Sequence, residues 1–191
     1  MLKTYHSKLL LFGEYSVIRS SKALAVPHAR YSGTWDWADK AEAMALQQDL
    51  PRFAAWLEQQ PLEMDCGRFR QELTDGLYFK SNIPTGYGLG SSGALVAAVY
   101  ARYARNPVAP GDETRLPALR AELGALEGFF HASSSGIDPF ISYVDQPVLL
   151  SGPGGIRVLP ALQWPHTFRF FLINTGKARQ TGPLVQMFLE K

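Results

Sequence analysis

The sequence predicts a chain that mixes strands and helices, on three observations. The first forty residues hold short apolar runs bounded by turn residues. The middle carries helical periodicities, one of them opened by a glycine-rich loop, and the last forty residues return to short apolar runs. Lys8 to Phe12 and Ala23 to Val26 are bounded by Gly13-Glu14 and Ser20-Ser21, and Tyr31 to Trp37 alternates aromatic and small residues, so each reads as a strand. Leu50 to Gln60 reads as a short helix with Phe53, Trp56 and Leu57 on one face, and Gly76 to Ile83 as a further strand. A helix over Ser92 to Arg105 follows. Leu116, Leu119, Leu123, Leu126 and Phe130 then recur at spacings of three and four, marking an amphipathic helix that ends near His131. A short helix over Pro139 to Tyr143 comes next, and Gln146 to Leu150, Ile156 to Leu159 and Phe168 to Ile173 close the chain as strands.

The glycine-rich loop is the strongest chemical signal. Pro84-Thr85-Gly86-Tyr87-Gly88-Leu89-Gly90-Ser91-Ser92-Gly93 runs directly into an Ala/Val-rich helix. Glycines allow positive φ and close approach of the backbone, and the first turn of a helix offers unpaired N–H groups and the positive dipole end to an anion. The arrangement predicts a phosphate site, with one serine free to cap the helix and the other to reach a phosphate or its Mg²⁺. Gly88-x-Gly90-x-x-Gly93 formally matches the dinucleotide fingerprint. Against it, Ile83-Pro84-Thr85 separates the strand from the first glycine, and Asp112, near the expected ribose-binding offset, lies in a Pro/Gly-rich loop. A P-loop is excluded, because no Gly-Lys-Ser/Thr follows the glycines.

Composition narrows the classes further. With 191 residues, 46% apolar and 19% charged, the chain has the make-up of one soluble domain. Its formal charge of +2 comes from scattered Lys and Arg, which argues against a nucleic-acid groove or an anionic membrane surface. Cys66 stands alone, so no internal disulfide forms, and the four histidines His6, His28, His131 and His166 are too far apart in sequence to suggest a zinc or iron site. Magnesium, which needs only oxygens, stays open. No signal peptide is evident at the N-terminus and no apolar run approaches the ~20 residues that span a bilayer, so a cytoplasmic location is expected.

Three charged residues stand out. Glu127 falls on the apolar stripe of its helix, where a carboxylate needs a cation, a metal or a raised pKa unless it reaches water at the stripe's margin. Asp138 precedes Pro139 and reads as an N-cap with proline at the first helical position. Lys8 begins a strand that is apolar on both faces, either as a solvated strand end or as a cation at the rim of the phosphate loop, and Glu14 just past that strand is equally ambiguous. Ser134, His131 and Asp138 could be read as a hydrolytic triad, but they share one short loop and no Gly-x-Ser-x-Gly elbow is present.

Together these segments resemble the GHMP kinase superfamily, which includes galactokinase, homoserine kinase, mevalonate kinase and phosphomevalonate kinase. The loop Pro84 to Gly93 is similar to the family's nucleotide-binding motif, Pro-x-x-x-Gly-Leu-Gly-Ser-Ser-Ala. Lys8 to Pro27 is similar to its N-terminal motif, a lysine before an apolar strand and Gly-Glu-His. Glu127-Gly-Phe-Phe-His131-Ala-Ser-Ser-Ser135-Gly-Ile-Asp138 resembles the mevalonate kinases, which carry Glu, His-Gly and Pro-Ser-Gly-Val/Ile-Asp at the same intervals. Asn174 to Thr181 also resembles the stretch with which that family leaves its first domain.

The resemblance implies an α+β fold of the ribosomal protein S5 domain 2-like type, ATP and Mg²⁺ as cofactors, and transfer of the γ-phosphoryl group to a small alcohol, mevalonate first and phosphomevalonate or a sugar second. It implies that Pro84, Gly86, Gly88, Leu89, Gly90, Ser91, Ser92 and Gly93 cradle the nucleotide and that Ser92 and Glu127 hold Mg²⁺. Asp138 would face the substrate hydroxyl with Lys8 beside it, and Glu14, Tyr15, His131 and Ser135 would line the acceptor site. Asp138 would either take the proton or orient an alcohol whose pKa Lys8 lowers. Departures are Tyr15 where mevalonate kinases carry His, Ser134 for the proline of Pro-Ser-Gly, Ala132 for the glycine after His131, and Gly93 for alanine, expected only to loosen the helix start by up to ~1 kcal/mol. The family's C-terminal domain and third motif would begin about where Lys191 stands, so a truncated or shortened kinase is expected. Apolar surface left open by that loss would make the chain poorly stable, dimeric or weak in binding ATP. A non-catalytic nucleotide-binding fragment is the alternative from another class.

Overall fold

The computed structural model describes residues 3–47, 49–131, 134–152, 154–173, 176 and 181–190. Five strands form one antiparallel sheet: β1 (Tyr5–Phe12), β2 (Ala23–Trp37), β3 (Leu77–Ser81), β4 (Val148–Ser151) and β5 (Gly155–Val158). They lie in the order β1-β2-β4-β5, with β3 paired to the far half of β2. The helices are α1 (Lys40–Leu46), α2 (Asp49–Leu57), α3 (Cys66–Thr74), α4 (Ser91–Tyr103), α5 (Leu116–Glu127), α6 (Ile137–Val144) and α7 (Thr181–Leu189). No helix among the described residues is long and apolar enough to cross a membrane.

The α+β class holds, with four differences in the elements. The runs Ala23 to Val26 and Tyr31 to Trp37 are one strand, β2, which continues through Pro27. Its pairing with β1 jumps from Ser7↔His28 to His6↔Ser32, so Ala29, Arg30 and Tyr31 are left without partners in a bulge. Helices α1 and α3 lack a long apolar period and owe their starts to caps. The Asp39 carboxylate accepts from the Ala41 N–H at 3.0 Å and Asp65 from the Arg68 N–H at 3.1 Å. The expected N-cap Asp138 lies inside α6 instead, because Gly136 takes the cap position at φ 70°. The last expected strand, Phe168 to Ile173, is not a strand: its backbone has no ladder partner, and Phe171 is 84% and Ile173 80% exposed. Most of Asn174 to Thr181 lies outside the described residues.

Helix α4 is the axis of the core. Gly93, Ala94, Val96, Ala97, Ala98, Val99, Tyr100 and Tyr103 are all buried, as expected of a helix that is apolar all round. It packs on β1 and β2 and between α5 and α6. Each buried valine contributes about 1.5–3 kcal/mol. Below it Trp35 meets Phe79, Phe69 and Tyr103 edge-on at 5.4, 6.3 and 6.1 Å and donates from Nε1 to the Ala98 carbonyl at 3.3 Å. Phe53 of α2 meets Phe129 and Phe130 at 5.0 and 5.2 Å, fixing the turn after α5. The start of α4 is therefore held rigidly at one edge of a packed layer.

Candidate active site

The glycine loop enters α4 without a side-chain cap. Gly90 occupies the cap position at φ 77°, and Gly86 and Gly88 also take positive φ, which explains the glycine spacing. Neither Ser91 nor Ser92 caps the helix, so the end of α4 keeps its positive pole open. Leu89 anchors the loop: its side chain is buried and its carbonyl accepts the Lys8 N–H at 3.0 Å.

That backbone bond brings β1 to the loop and settles the ambiguity of Lys8. The lysine is only 7% exposed, and its Nζ lies 3.0 Å from Asp138 Oδ1. A Cβ on Gly90 would sit 3.1 Å from Lys8 Cγ and 3.6 Å from Asp138 Oδ2, so loop, lysine and aspartate meet at one point. Asp138 keeps part of its carboxylate open to solvent, with 31% of its side chain exposed. Gly93 does more than loosen a helix start. A Cβ there would fall 2.8 Å from the backbone of Asp138 and Pro139, so glycine is what allows α4 and α6 to approach this closely.

A second cluster lies on the α5 side. Glu127 is 4% exposed. It accepts from Ser92 Oγ at 3.2 Å and from the Ser134 hydroxyl, while His131 Nε2 lies 3.2 Å from Ser92 Oγ. Burial pushes the Glu127 carboxyl above its ordinary range, the Asp138 charge adds to that, and Ser134, His131 and Ser92 oppose it. The structure brings Ser92 and Glu127, the residues expected to share a metal, within hydrogen-bonding distance, and it makes Ser134, read from sequence as a departure, a contact of Glu127. Its signal was present, since a hydroxyl replaces an apolar ring in the loop that follows a buried carboxylate. Ser135 Oγ accepts weakly from the Ile137 N–H at 3.4 Å, at the start of α6. Glu14 is exposed, and the Tyr15 ring packs on Phe188 of α7 at 5.9 Å.

A cleft of about 650 Å³ runs from this end of α4 along β3, walled by Tyr78, Lys80, Ser81, Ser91, Ser92 and Phe130. The donor set suits a small oxygen-seeking cation. Ser92 and Glu127 supply oxygens, and Mg²⁺ typically takes one or two protein oxygens and the rest from phosphate and water. No group of three or more His, Cys, Asp or Glu among the described residues could hold a metal by itself. The open helix end, the positive-φ glycines and the adjoining cleft likewise suit a phosphorylated ligand.

Residues 60–146 match the family model for the GHMP kinases N terminal domain. The mevalonate kinase of Archaeoglobus fulgidus is 28% identical over 200 aligned positions, a match that covers 100% of this chain, Lys8 included, and 63% of that protein. Two crystal structures of mevalonate kinases share the fold at 14% identity. One is from Methanococcus jannaschii with a TM-score of 0.50 and the other has a TM-score of 0.52, each match covering 84% of this chain and 56% of the solved one. The chain thus spans less than two thirds of the length of these relatives. The matched segment holds the glycine loop, α4, Glu127 and Asp138, and through it this chain is similar to the N-terminal domain of the GHMP kinases and, among them, to mevalonate kinases.

Proposed function

We propose that the chain is the ATP-binding domain of a kinase that phosphorylates a small alcohol, and that the alcohol is mevalonate. The observation that carries this reading is the Lys8–Asp138 pair, 3.0 Å apart, set against Gly90 where the uncapped end of α4 opens. Bound Mg·ATP supplies the phosphoryl group and the divalent charge that offsets its oxygens. The backbone N–H groups at the start of α4 hold the phosphates, with the helix dipole in support. Ser92 and Glu127 would hold the cation, and the cleft along β3 would take the nucleoside end.

On this reading the acceptor hydroxyl lies against Asp138. The carboxylate would accept the hydroxyl's hydrogen bond, orient its lone pair along the line of transfer and take its proton as the new O–P bond forms and the bond from the γ-phosphorus to the bridging oxygen breaks, with ADP leaving. The Lys8 ammonium, held in place by that same carboxylate, stabilises negative charge on the oxygens in flight. Little covalent work falls to the protein; its task is to position groups and to exclude water.

The mevalonate assignment is supported by the likeness to the Archaeoglobus mevalonate kinase and by the spacing of Glu127, His131, Ser135 and Asp138. Phosphomevalonate or a sugar as acceptor is the reading to which Tyr15, standing in the position of a histidine, directs a comparison. The test is ADP release by the 191-residue chain with Mg·ATP, with and without mevalonate, beside Asp138→Ala. Mevalonate-dependent release that disappears in the variant is expected. Nucleotide binding without transfer to mevalonate, phosphomevalonate or a hexose would assign the chain a non-catalytic nucleotide-binding role.

A further inference from the structure

The loop between α5 and α6 is fastened to α5 by a side chain that does not line the cleft. Arg120, two helical turns before Glu127 on α5, donates from Nε to the Ser135 carbonyl at 2.8 Å. Its guanidinium is half-buried and makes no ion pair among the described residues. A cation so placed loses hydration without gaining a counter-charge, so it adds nothing to a surface network. What it does hold is a backbone carbonyl in the loop that joins the two carboxylates of the site, three residues before Asp138.

The surrounding backbone is built for the same contact. Gly136 takes φ 70°, and a Cβ there would meet the Arg120 carbonyl oxygen at 2.3 Å. A Cβ on the facing Gly124 would lie 3.2 Å from the Gly136 nitrogen, so the loop rests directly on the α5 backbone. Within the loop, the Gly136 N–H donates to Ser134 Oγ at 3.0 Å, and that hydroxyl donates to Glu127. Two residues on, Asp138 meets Lys8.

We propose that Arg120 is a positioning residue: by holding the Ser135 carbonyl against α5 it keeps Ser134 on Glu127 and starts α6 with Asp138 turned toward Lys8. The consequence for turnover rests on the kinase reading; the tether itself rests on geometry alone. Its worth should resemble that of other groups that orient a metal ligand or a catalytic side chain from behind, about 10- to 100-fold.

The experiment compares Arg120→Ala and Arg120→Lys with the wild-type chain in two measurements. Amide hydrogen exchange at Gly136 and Ile137 reads the loop directly, and kcat and KM for ATP and mevalonate read its effect. In Arg120→Ala, exchange at those two amides is expected to quicken about tenfold while α4 and β3 keep their protection. The kcat should fall about 10- to 100-fold, by more than the KM for ATP rises, and Arg120→Lys, which keeps one donor and the charge, should recover most of the losses in exchange protection and kcat. Unchanged exchange in Arg120→Ala overturns the tether. Faster exchange throughout the protein, or a loosened loop with undiminished kcat, overturns the positioning role and leaves Arg120 a stability residue. If the wild-type chain transfers phosphate to no alcohol, the kinase reading fails, while the exchange measurement still decides the tether.

Discussion

Glu127 and Asp138 both approach the start of α4, yet the fold treats them in opposite ways. Asp138 is given a cation of its own, Lys8, and keeps part of its carboxylate in solvent. Glu127 is enclosed and given only neutral hydroxyls at hydrogen-bonding distance, so that burial raises its pKa. The difference separates two tasks. A carboxylate already paired with a fixed lysine keeps its orientation and an open edge. A buried carboxylate held at hydrogen-bonding distance only by hydroxyls carries a charge at a cost that, on the proposed reading, an arriving divalent cation would offset.

Substitutions at the two carboxylates should separate most widely in turnover. Asp138→Ala is expected to lower acceptor-dependent ADP release about 10²- to 10⁴-fold. Titration of the same variant with Mg·ATP should show near-normal nucleotide binding, because the glycine loop is untouched. Glu127→Gln should do the reverse, raising the Mg²⁺ concentration needed for half-maximal nucleotide binding by about 10- to 100-fold.

Without metal the sign of the second substitution inverts. Since the folded-state pKa of Glu127 lies above its unfolded value, the native protein holds that proton more tightly than the unfolded chain does. The contribution of Glu127 to the stability of the metal-free protein is therefore full below the ordinary carboxylate range and is lost as pH rises through the raised value. Glutamine does not titrate. Thermal melts in EDTA should coincide for wild type and Glu127→Gln in acid and diverge toward neutral pH, with the variant melting higher. Wild-type melts independent of pH would contradict the burial described here.

Smaller effects sharpen the contrast further. Gly93→Ala, which restores the residue common in the superfamily's motif, should cost about 1–3 kcal/mol by forcing α4 and α6 apart at Asp138, read as a lowered melting temperature with transfer impaired. An alanine that packs without loss would show that the two helices can separate freely. Ser92→Ala removes one hydroxyl from Glu127 and should change metal-free stability by only about 1 kcal/mol, while still weakening Mg²⁺ dependence in a nucleotide titration.

The parts of this site that were legible in sequence are those in which backbone geometry or polarity leaves a residue-type signature. A helix start approached through positive φ demands glycine, so Gly86, Gly88 and Gly90 announced the loop. A carboxylate on a leucine stripe announced Glu127. Lys8 was ambiguous because a strand-end lysine is ordinarily solvated, and only the Leu89 carbonyl, bonded to its N–H, draws it under the loop. Arg120 shares the face of Glu127 at a spacing of seven, but a polar residue on a helix carries no mark of whether it meets water or a carbonyl. The strand expected at Phe168 to Ile173 failed for a complementary reason. Apolar alternation describes a side-chain surface, whereas a strand also needs a neighbouring backbone to bond, and composition does not supply one.

The long strand β2 has a consequence for how the protein is made. Its Ala23–Ala25 edge is completed only by Leu150 to Val148 of β4, which leave the ribosome after all of α1 to α6. The β1–β2 hairpin can form early, from local contacts, but for most of synthesis it carries an unfilled hydrogen-bonding edge. Slowing translation before Val148 would prolong the interval in which nascent chains can pair with one another, so the yield of folded protein should depend on the pace at which that last stretch of sheet emerges.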